Sequence, residues 1–304
     1  MKVLIMGGTS FVSKVVAMTG IDKGYTVDIF TRGSHPLDYK GIHEHIIGDR
    51  RNPHDLKKLT GAYDYVIDVT PYFEKDVQML LDAIDTSNLK RFVMCSTGSV
   101  YINLEQGKTI YEDHPRGKDP VYPNDYGYNK YLAEEYLLKH QVPVTIFRPT
   151  YIYGEFNDIY RDAYLFESIK KGEIISLEDK CHVQFIYVHD LAQVFYSCLD
   201  NKASINKAYN LAHEDKINWT RWIKAGERAV GNNAVIKRIT DDEAFSNGQK
   251  FPFANIDLFF DTSSLKIDGL FVPNTSLEDG LNKGYKWYQT VDLSYVTKRR
   301  FDLD

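Results

Sequence analysis

Cysteines and long hydrophobic runs are scarce in this chain, and their scarcity excludes several classes of protein. The 304 residues include three cysteines, Cys95, Cys181 and Cys198, which are too scattered to indicate a disulfide framework or a thiolate metal site. The first apolar run, residues 3–6, is far too short for a signal peptide or a membrane span. We therefore expect a cytoplasmic protein with no membrane partner.

An excess of charge of one sign is also lacking. The 37 Lys and Arg residues and the 42 Asp and Glu residues give a formal net charge of −5, which argues against a broad surface for nucleic acid. His43 and His45 share a strand face, but no third metal ligand stands beside them in the sequence. Because HExxH, GxSxG and P-loop motifs are missing too, we expect no metal site.

What the sequence does contain is an alternation of short β-rich runs with helical patterns. The apolar run at 3–6 precedes apolar positions at helical spacing, which begin at Phe11 and end near Gly24. Because parallel neighbours need a crossover, this order predicts an α/β fold with a doubly wound parallel sheet. The further strands are predicted at 25–30, 45–49, 65–70, 91–96, 144–148 and 208–212, with a strand end leading into a helix at 185–199.

The loop after the first strand is similar to the glycine-rich loop of dinucleotide-binding folds, with two glycines replaced. Gly7 can make the tight turn, whereas Ser10 and Ser13 stand where the pattern has its later glycines. Serine is small and can donate to a phosphate, and the start of the next helix offers backbone donors to an anion. The loop therefore favours a cofactor site, with an ordinary strand–turn–helix as the alternative.

These patterns divide the chain into two parts. Residues 1–155 are predicted to form a Rossmann-type dinucleotide-binding domain, to which residues 183–212 also contribute. Residues 156–182 and 213–304 are less regular and are predicted to form a smaller, mixed substrate-binding lobe over the carboxyl edge of the sheet. Two smaller expectations concern this half of the chain: Asp190 caps a helix, and Trp219 and Trp222 pack in the core.

The end of the second strand bears on the choice of cofactor. NAD-binding folds place an acid about 20 residues past the loop, where it holds the ribose hydroxyls. Here Thr31 and Arg32 occupy that place, and Asp28 lies three residues too early. A neutral residue followed by arginine suits a 2′-phosphate and so favours NADP over NAD, with a solvated arginine as the alternative. Asp49 follows the next strand and is placed to contact the adenine edge.

A tyrosine and a lysine one helical turn apart form the strongest catalytic signal. Tyr126 and Lys130 stand at i and i+4, where a neighbouring ammonium can stabilise a phenolate and so make the tyrosine a usable acid and base. About thirty residues earlier, a strand ends in hydroxyl residues at the edge where open sheets bind ligands. Thr97 is the candidate to hold the substrate oxygen, with Ser96 and Ser99 as its rivals.

Six stretches in order carry a family resemblance over about two thirds of the chain: GGTSFVS, GDRRNP (48–53), CSTGSVY (95–101), YGYNKYLAE (126–134), FRPTYIYGE (147–155) and FIYVHDLA (185–192). The sequence resembles an extended or atypical short-chain dehydrogenase/reductase of the NAD(P)-dependent epimerase/dehydratase type. The resemblance implies Thr97, Tyr126 and Lys130 as the catalytic triad. It also implies a homodimer joined by a four-helix bundle that includes the Tyr126 helix.

The function that follows is the epimerisation, dehydration or reduction of a sugar nucleotide or related polyol at a hydroxyl, with NAD(P) as cofactor. Candidate partners for a substrate diphosphate are Arg221, Lys237 and Arg238. The residues expected to bind the cofactor are Gly7, Thr9, Ser10, Phe11, Val12, Thr31, Arg32, Asp49, Arg50, Val69, Thr70, Tyr126, Lys130, Pro149, Thr150 and Ile152.

Departures from the family pattern keep a second function open. The glycine loop lacks its later glycines, the fourth strand ends in DVTP (68–71) rather than HLAA, and Tyr151 replaces an asparagine that contacts the nucleotide. The sequence also resembles an atypical branch that includes chloroplast stem-loop-binding proteins, which associate with RNA. The alternative is therefore a non-catalytic protein that senses nucleotides or binds RNA, against which the intact Thr97, Tyr126 and Lys130 set counts.

Overall fold

The computed structural model describes residues 1–119, 125–240, 243 and 251–291. Its strands in chain order are β1 (Lys2–Met6), β2 (Thr26–Thr31), β3 (Glu44–Ile47), β4 (Tyr65–Asp68), β5 (Arg91–Cys95), β6 (Thr109–Ile110), β7 (Val144–Pro149), β8 (Tyr151–Tyr153), β9 (Ile174–Leu177), β10 (His182–Val183), β11 (Phe185–Tyr187), β12 (Lys207–Leu211), β13 (Ile217–Asn218), β14 (Val235–Arg238) and β15 (Phe259–Phe260). Its helices are α1 (Phe11–Asp22), α2 (Pro53–Leu56), α3 (Glu74–Ala83), α4 (Asp125–Lys139), α5 (Asp162–Lys171), α6 (Val188–Ser197), α7 (Trp219–Val230), α8 (Ser263–Ile267) and α9 (Leu277–Tyr288).

Seven parallel strands form the central sheet, in the order β12-β7-β5-β4-β1-β2-β3. Each predicted strand of the sheet is confirmed, with ends shifted by one to two residues. The strand predicted at 65–70 stops at Asp68, because the Asp68 carboxylate accepts a hydrogen bond from the Thr70 N–H and turns the chain. The fold is therefore the predicted α/β fold.

Helices cover both faces of the sheet. Along β1, Val3 and Ile5 enter the core on the face of α1 and α6, whereas Leu4 and Met6 enter the core on the face of α3 and α4. This alternation follows from the two-residue period of a strand and explains why β1 is a continuous apolar run. The sheet is consequently buried on both sides, and its carboxyl edge is left as the place for a ligand.

The strand order reverses at β1, which lies between β2 and β4. Successive crossovers go to opposite sides there, so that the loops after β1 and β4 separate and leave a crevice at the carboxyl edge. The glycine loop follows β1, and the residues after β4 and β5 line the same edge. The topology therefore brings together the stretches in which the sequence placed its candidate residues.

The segments after β7 build small sheets beside the central one. β8 pairs in parallel with β11, and β9 pairs in parallel with β14, while α7 packs against α5 and α9. Trp219 and Trp222 are completely buried, which confirms their predicted place in the core. In the part of the chain that the structure describes, no helix is both long and apolar enough to cross a membrane.

The expected capping role of Asp190 is wrong. Helix α6 begins at Val188, so Asp190 lies inside its first turn rather than before it. Its carboxylate accepts hydrogen bonds from the backbone N–H groups of Asn274 and Thr275 and from the Thr275 hydroxyl. Asp190 thus fastens the segment before α9 to α6, a contact between residues 84 and 85 positions apart that sequence spacing does not reveal.

Candidate active site

The glycine loop is closed around Gly7 by a serine. Gly7 has φ +109°, and a Cβ on it would lie 2.6 Å from the Cβ of Ser13. Ser13 is buried, and its hydroxyl donates to the Ser10 carbonyl at 2.8 Å. The side chain that replaces the family's third glycine therefore fits because position 7 has none, and glycine is required there for both backbone conformation and space.

The start of α1 has features that suit an anion. Ser10 stands at the N-cap but, within the described residues, makes no capping hydrogen bond with its side chain, and the first turn contains no acid. The next residue, Phe11, has φ +35°, an uncommon conformation for a residue with a side chain. Unpaired N–H groups at the positive end of a 12-residue helix suit a pyrophosphate. The loop therefore fits a dinucleotide.

Residues 33–42 cover this loop, a feature that the sequence did not indicate. The Tyr39 hydroxyl donates to the Gly8 carbonyl at 2.5 Å, and Lys14 forms an ion pair with Asp38 at 2.6 Å. The Lys14 Nζ also lies 4.2 Å from the ring centroid of Phe156. The first turn of α1 is thus tied both to the segment after β2 and to the segment after β8.

At the end of β2, the Thr31 hydroxyl hydrogen-bonds to the His45 ring at 2.8 Å and accepts the Gly33 N–H, while Arg32 is exposed. Asp28 is buried and faces the other way, where it pairs with Lys2 and His43, both at 2.8 Å. A third ligand-type side chain therefore does lie near His43, in a cluster of Asp28, His43 and Glu44. The Lys2 ammonium already neutralises Asp28 in that cluster.

The wall after β4 is built by a buried ion pair. Arg50 donates two hydrogen bonds to Asp68, at 2.8 and 2.7 Å, and a third to the Thr70 hydroxyl at 3.0 Å. The charge of Asp68 raises the pKa of Arg50 against the effect of burial. Asp68, from the unusual DVTP stretch, thus commits the Arg50 guanidinium to the protein, while Val69 and Thr70 remain half-buried beside it. Asp49 is exposed and accepts the Arg51 N–H.

Tyr126 lies in the first turn of α4, beside the end of β5. Its side chain is 44% exposed, and its ring centroid lies 6.0 Å from that of Tyr72. Protein nevertheless surrounds the hydroxyl closely enough that burial raises the pKa of Tyr126 above its ordinary value. A hydrogen bond with Thr97 and the positive charge of Arg161 act in the opposite direction and lower this pKa. Burial, Cys95 and Tyr72 outweigh these two groups, so the pKa of Tyr126 stays above that of a free tyrosine.

Lys130 lies one turn further along α4 and is buried. Its Nζ donates to the Cys95 carbonyl at 2.5 Å and lies 6.0 Å from the ring centroid of Tyr126. Burial lowers the pKa of Lys130. Because Cys95 is the last residue of β5, this bond holds the ammonium at the carboxyl edge of the sheet, on the same side as the phenol and Thr97.

The two rivals of Thr97 are placed differently. The Ser96 hydroxyl is buried and donates to Glu134 at 2.5 Å. Glu134 also accepts hydrogen bonds from Arg116 and Arg148, so Ser96 belongs to a buried ionic cluster. Ser99 is exposed, and its N–H donates to the Thr97 hydroxyl oxygen at 3.2 Å. That contact leaves the Thr97 hydroxyl proton free to be donated.

The stretch after β7 lies along the same edge. Pro149 ends the strand, the Thr150 hydroxyl donates to the Gln184 carbonyl, and Ile152 pairs with Ile186. Two of the three candidate diphosphate partners are bonded to other side chains. Arg221 bonds to Asp215 and Glu278, Arg238 bonds to Asp179 and the Thr220 hydroxyl, and Lys237 lies exposed on β14.

The model of the NAD dependent epimerase/dehydratase family matches residues 3–212. The chain belongs to this family. The predicted family and fold are thereby confirmed, and the matched range includes the glycine loop, Thr97, Tyr126 and Lys130. Roles of individual residues are a separate question, because a family match does not test them.

The known proteins to which this chain is similar are named for different functions. It is 26% identical to the chloroplast stem-loop binding protein of 41 kDa b of Arabidopsis thaliana, over 93% of this chain and 78% of that protein. It is 23% identical to the CDP-paratose 2-epimerase of Salmonella typhi, over 96% of this chain and all of that enzyme. The UDP-glucose 4-epimerase of Thermus thermophilus in complex with NAD has the same fold, with a TM-score of 0.78 at 17% identity over 96% of this chain and 100% of that one.

Proposed function

We propose that the protein is an NAD(P)-dependent enzyme that epimerises, dehydrates or reduces a sugar nucleotide or related polyol at a hydroxyl. The observation that carries this proposal is the grouping of Thr97, Tyr126 and Lys130 at the end of β5. These three groups have different chemistries, and a pure binding protein has no need to bring them together. Tyr126 is the acid and base, and Thr97 holds the substrate oxygen beside it.

The cofactor site in this proposal is the crevice above the glycine loop. The N–H groups at the start of α1 bind the pyrophosphate, Thr31 and Arg32 face the adenosine ribose, and Lys130 binds the nicotinamide ribose. The bound nicotinamide supplies a carbon that takes up or returns hydride. The exposed Arg32 and the lack of an acid at position 31 favour NADP over NAD.

The chain's own residues then control a single proton. Tyr126 takes the proton from the substrate hydroxyl during oxidation and returns it during reduction. The hydrogen bond with Thr97 favours the ionised phenol, and the buried ammonium of Lys130 is held at the same edge of the sheet. The positive charge of Arg161 acts in the same direction as the bond with Thr97.

Two further expectations belong to this proposal. Residues 156–182 and 213–304 form the substrate-binding lobe, and the protein is a homodimer joined by a four-helix bundle that includes α4. The surface between α4 and α3 is lined by side chains of both helices, including Glu74, Leu132 and Tyr136. Light scattering after size exclusion tests the dimer, and a monomer with full activity would contradict it.

Replacing Tyr126 by phenylalanine tests the catalytic proposal. The change removes one hydroxyl, so turnover of UDP-sugars should fall by a factor of about 10² to 10⁴ while NADPH binding, followed by its fluorescence, stays nearly unchanged. Tyr128→Phe on the same helix is the matched control and should retain turnover. Equal turnover in Tyr126→Phe and the wild type would refute the assigned acid and base.

RNA binding is the second candidate function, favoured by the similarity to the chloroplast stem-loop binding protein. It requires association with a stem-loop RNA that weakens steeply with salt, because phosphate contacts release counterions. The formal charge of −5 argues against a broad, positively charged surface for RNA. Titrating a labelled stem-loop RNA at two salt concentrations, with and without NADPH, separates this function from the enzymatic one.

A further inference from the structure

Arg161 packs against a pair of touching aromatic rings at the start of α5, whose centroids lie 4.8 Å apart. Its Cζ lies 5.0 Å from the ring centroid of Tyr151 and 5.1 Å from that of Phe253. Tyr151 is the first residue of β8, two positions after the end of β7. Arg161 and the two rings therefore stand at the carboxyl edge of the sheet, beside the stretch 149–152.

The guanidinium of Arg161 forms no hydrogen bond or ion pair within residues 1–119, 125–240, 243 and 251–291. The adjacent carboxylate of Asp162 attracts it electrostatically but is bonded elsewhere: it accepts hydrogen bonds from the Gly154 N–H at 2.9 Å and from the Asn157 amide at 3.1 Å. Burial lowers the pKa of Arg161 against the charge of Asp162. A partly buried cation without a hydrogen-bonded acceptor is costly, and its donors remain available to a ligand.

Three other arginines, by contrast, are hydrogen-bonded to carboxylates. Arg50 and Arg148 each form several hydrogen bonds to a buried carboxylate, and Arg221 bonds to two acids. Arg161 instead packs against two rings, and its N–H groups have no hydrogen-bond partner among the described residues. Contact with aromatic rings restricts where a guanidinium can lie, and the edge of this planar group matches the two oxygens of a carboxylate or phosphate.

Arg161 is also close enough to the proposed chemistry for its positive charge to lower the pKa of Tyr126, whose side chain hydrogen-bonds with Thr97. An anion bound by Arg161 would thus stand close to the hydroxyl that Tyr126 deprotonates. A neutral sugar ring offers no group that would offset the charge of Arg161, whereas a carboxylate or a phosphate does.

We propose that Arg161 binds an oxyanion of the substrate, a carboxylate or a phosphate group, next to the reacting hydroxyl. This inference rests on the proposed function and narrows its substrate class to anionic sugars or to sugars whose phosphate reaches the edge of β7 and β8. Tyr151, which stands where the family has an asparagine, is one of the two rings against which the guanidinium packs.

Calorimetric titration of the NADP⁺-loaded full chain with two probes tests the inference. UDP-glucuronate and UDP-glucose share the diphosphate and differ at the sugar carboxylate. In Arg161→Gln, affinity should fall at least tenfold for UDP-glucuronate alone if the site binds a carboxylate, or for both probes if it binds the diphosphate. Arg161→Lys, which keeps the charge and loses the planar fork, should fall in between, and Arg228→Gln is the control on an exposed arginine.

Unchanged affinity of Arg161→Gln for both probes, with a wild-type melting temperature, would overturn the inference. If the wild type binds neither probe, the ¹⁵N-labelled arginine side-chain signal that disappears in Arg161→Gln is followed during titration with inorganic phosphate and with acetate. A shift of that signal supports an oxyanion site, and its constancy with both anions overturns it. Because NADPH fluorescence reports cofactor binding separately, a failure of the proposed function is distinguishable from a failure of Arg161.

Discussion

The ammonium of Lys130 donates to the main-chain carbonyl of Cys95, with 2.5 Å between the nitrogen and the oxygen. The bond joins the middle of α4 to the last residue of β5, so the helix that carries Tyr126 and the strand that leads to Thr97 are fixed to each other at this point. The lysine thus connects two elements in addition to its proposed contact with the cofactor.

Replacing Lys130 by methionine should weaken cofactor binding. The change keeps the bulk of the side chain but removes the proposed donor to the nicotinamide ribose and leaves the Cys95 carbonyl unpaired. We expect NADPH affinity to fall at least tenfold, about 1.4 kcal/mol, with a loss of stability on the order of 1–3 kcal/mol from the unpaired carbonyl. Fluorescence titration and urea unfolding measure the two effects. Lys139→Met, at the exposed end of the same helix, should change neither.

Thr31→Asp should move cofactor preference from NADP towards NAD. A carboxylate at the end of β2 would accept the ribose hydroxyls of NAD and repel the 2′-phosphate of NADP. The ratio of the two dissociation constants should change by on the order of tenfold, about 1.4 kcal/mol. Thr26→Asp places the same charge at the exposed other end of β2 and serves as the control. An identical ratio in both variants would refute the assignment of Thr31 and Arg32.

Gly7 and Ser13 should be coupled in stability. Gly7→Ala places a Cβ 2.6 Å from that of Ser13 and adds strain at φ +109°, so the loss should exceed about 1 kcal/mol. Combining it with Ser13→Gly removes the contact but not the strain, and part of the loss should be recovered. A double-mutant cycle by urea unfolding measures the coupling, expected at about 0.5–3 kcal/mol. If the effects of the two substitutions are strictly additive, the loop relaxes so that the added Cβ does not contact the Ser13 side chain.

Asp162 should make the protein less stable as pH rises. Burial raises the pKa of Asp162 from 3.8 to about 6, and one of its oxygens is buried without a hydrogen-bond partner among the described residues. Between these two pKa values the folded state binds more protons than the unfolded state, so the free energy of unfolding falls with increasing pH, by about 3 kcal/mol in total.

Asp162→Asn cannot titrate and should remove this fall. The measurement is the free energy of unfolding at several values between pH 4 and about 8, compared with Asp113→Asn, which changes an exposed carboxyl on a loop. The free energies of unfolding of the wild type and of Asp113→Asn should decline together over this pH range. That of Asp162→Asn should lack the part of the decline that Asp162 causes. Parallel curves for all three proteins would show that Asp162 is ionised in the folded state without penalty.

The sheet and the Tyr126–Lys130 pair could be predicted because they depend on local spacing. A strand has a period of two and a helix places i and i+4 on one face, so short stretches of sequence suffice. Arg50 shows where this fails: its carboxylate partner Asp68 is the last residue of another strand, and their contact depends on strand order. The surroundings of Arg161 could not be predicted for a similar reason, since its two rings come from residues 151 and 253, about a hundred positions apart.

The cluster around Glu134 has a consequence for how the site responds to stress. Glu134 follows Lys130 by one turn, so a one-residue rotation of α4 would detach the carboxylate from Ser96, Arg116 and Arg148 and the ammonium from Cys95 at once. An orphaned carboxylate in the interior costs several kcal/mol, which leaves no populated half-rotated form. Heat or denaturant should therefore disrupt the arrangement of the Thr97 hydroxyl, the Tyr126 phenol and the Lys130 ammonium in a single cooperative step. The site should not loosen partially before that step.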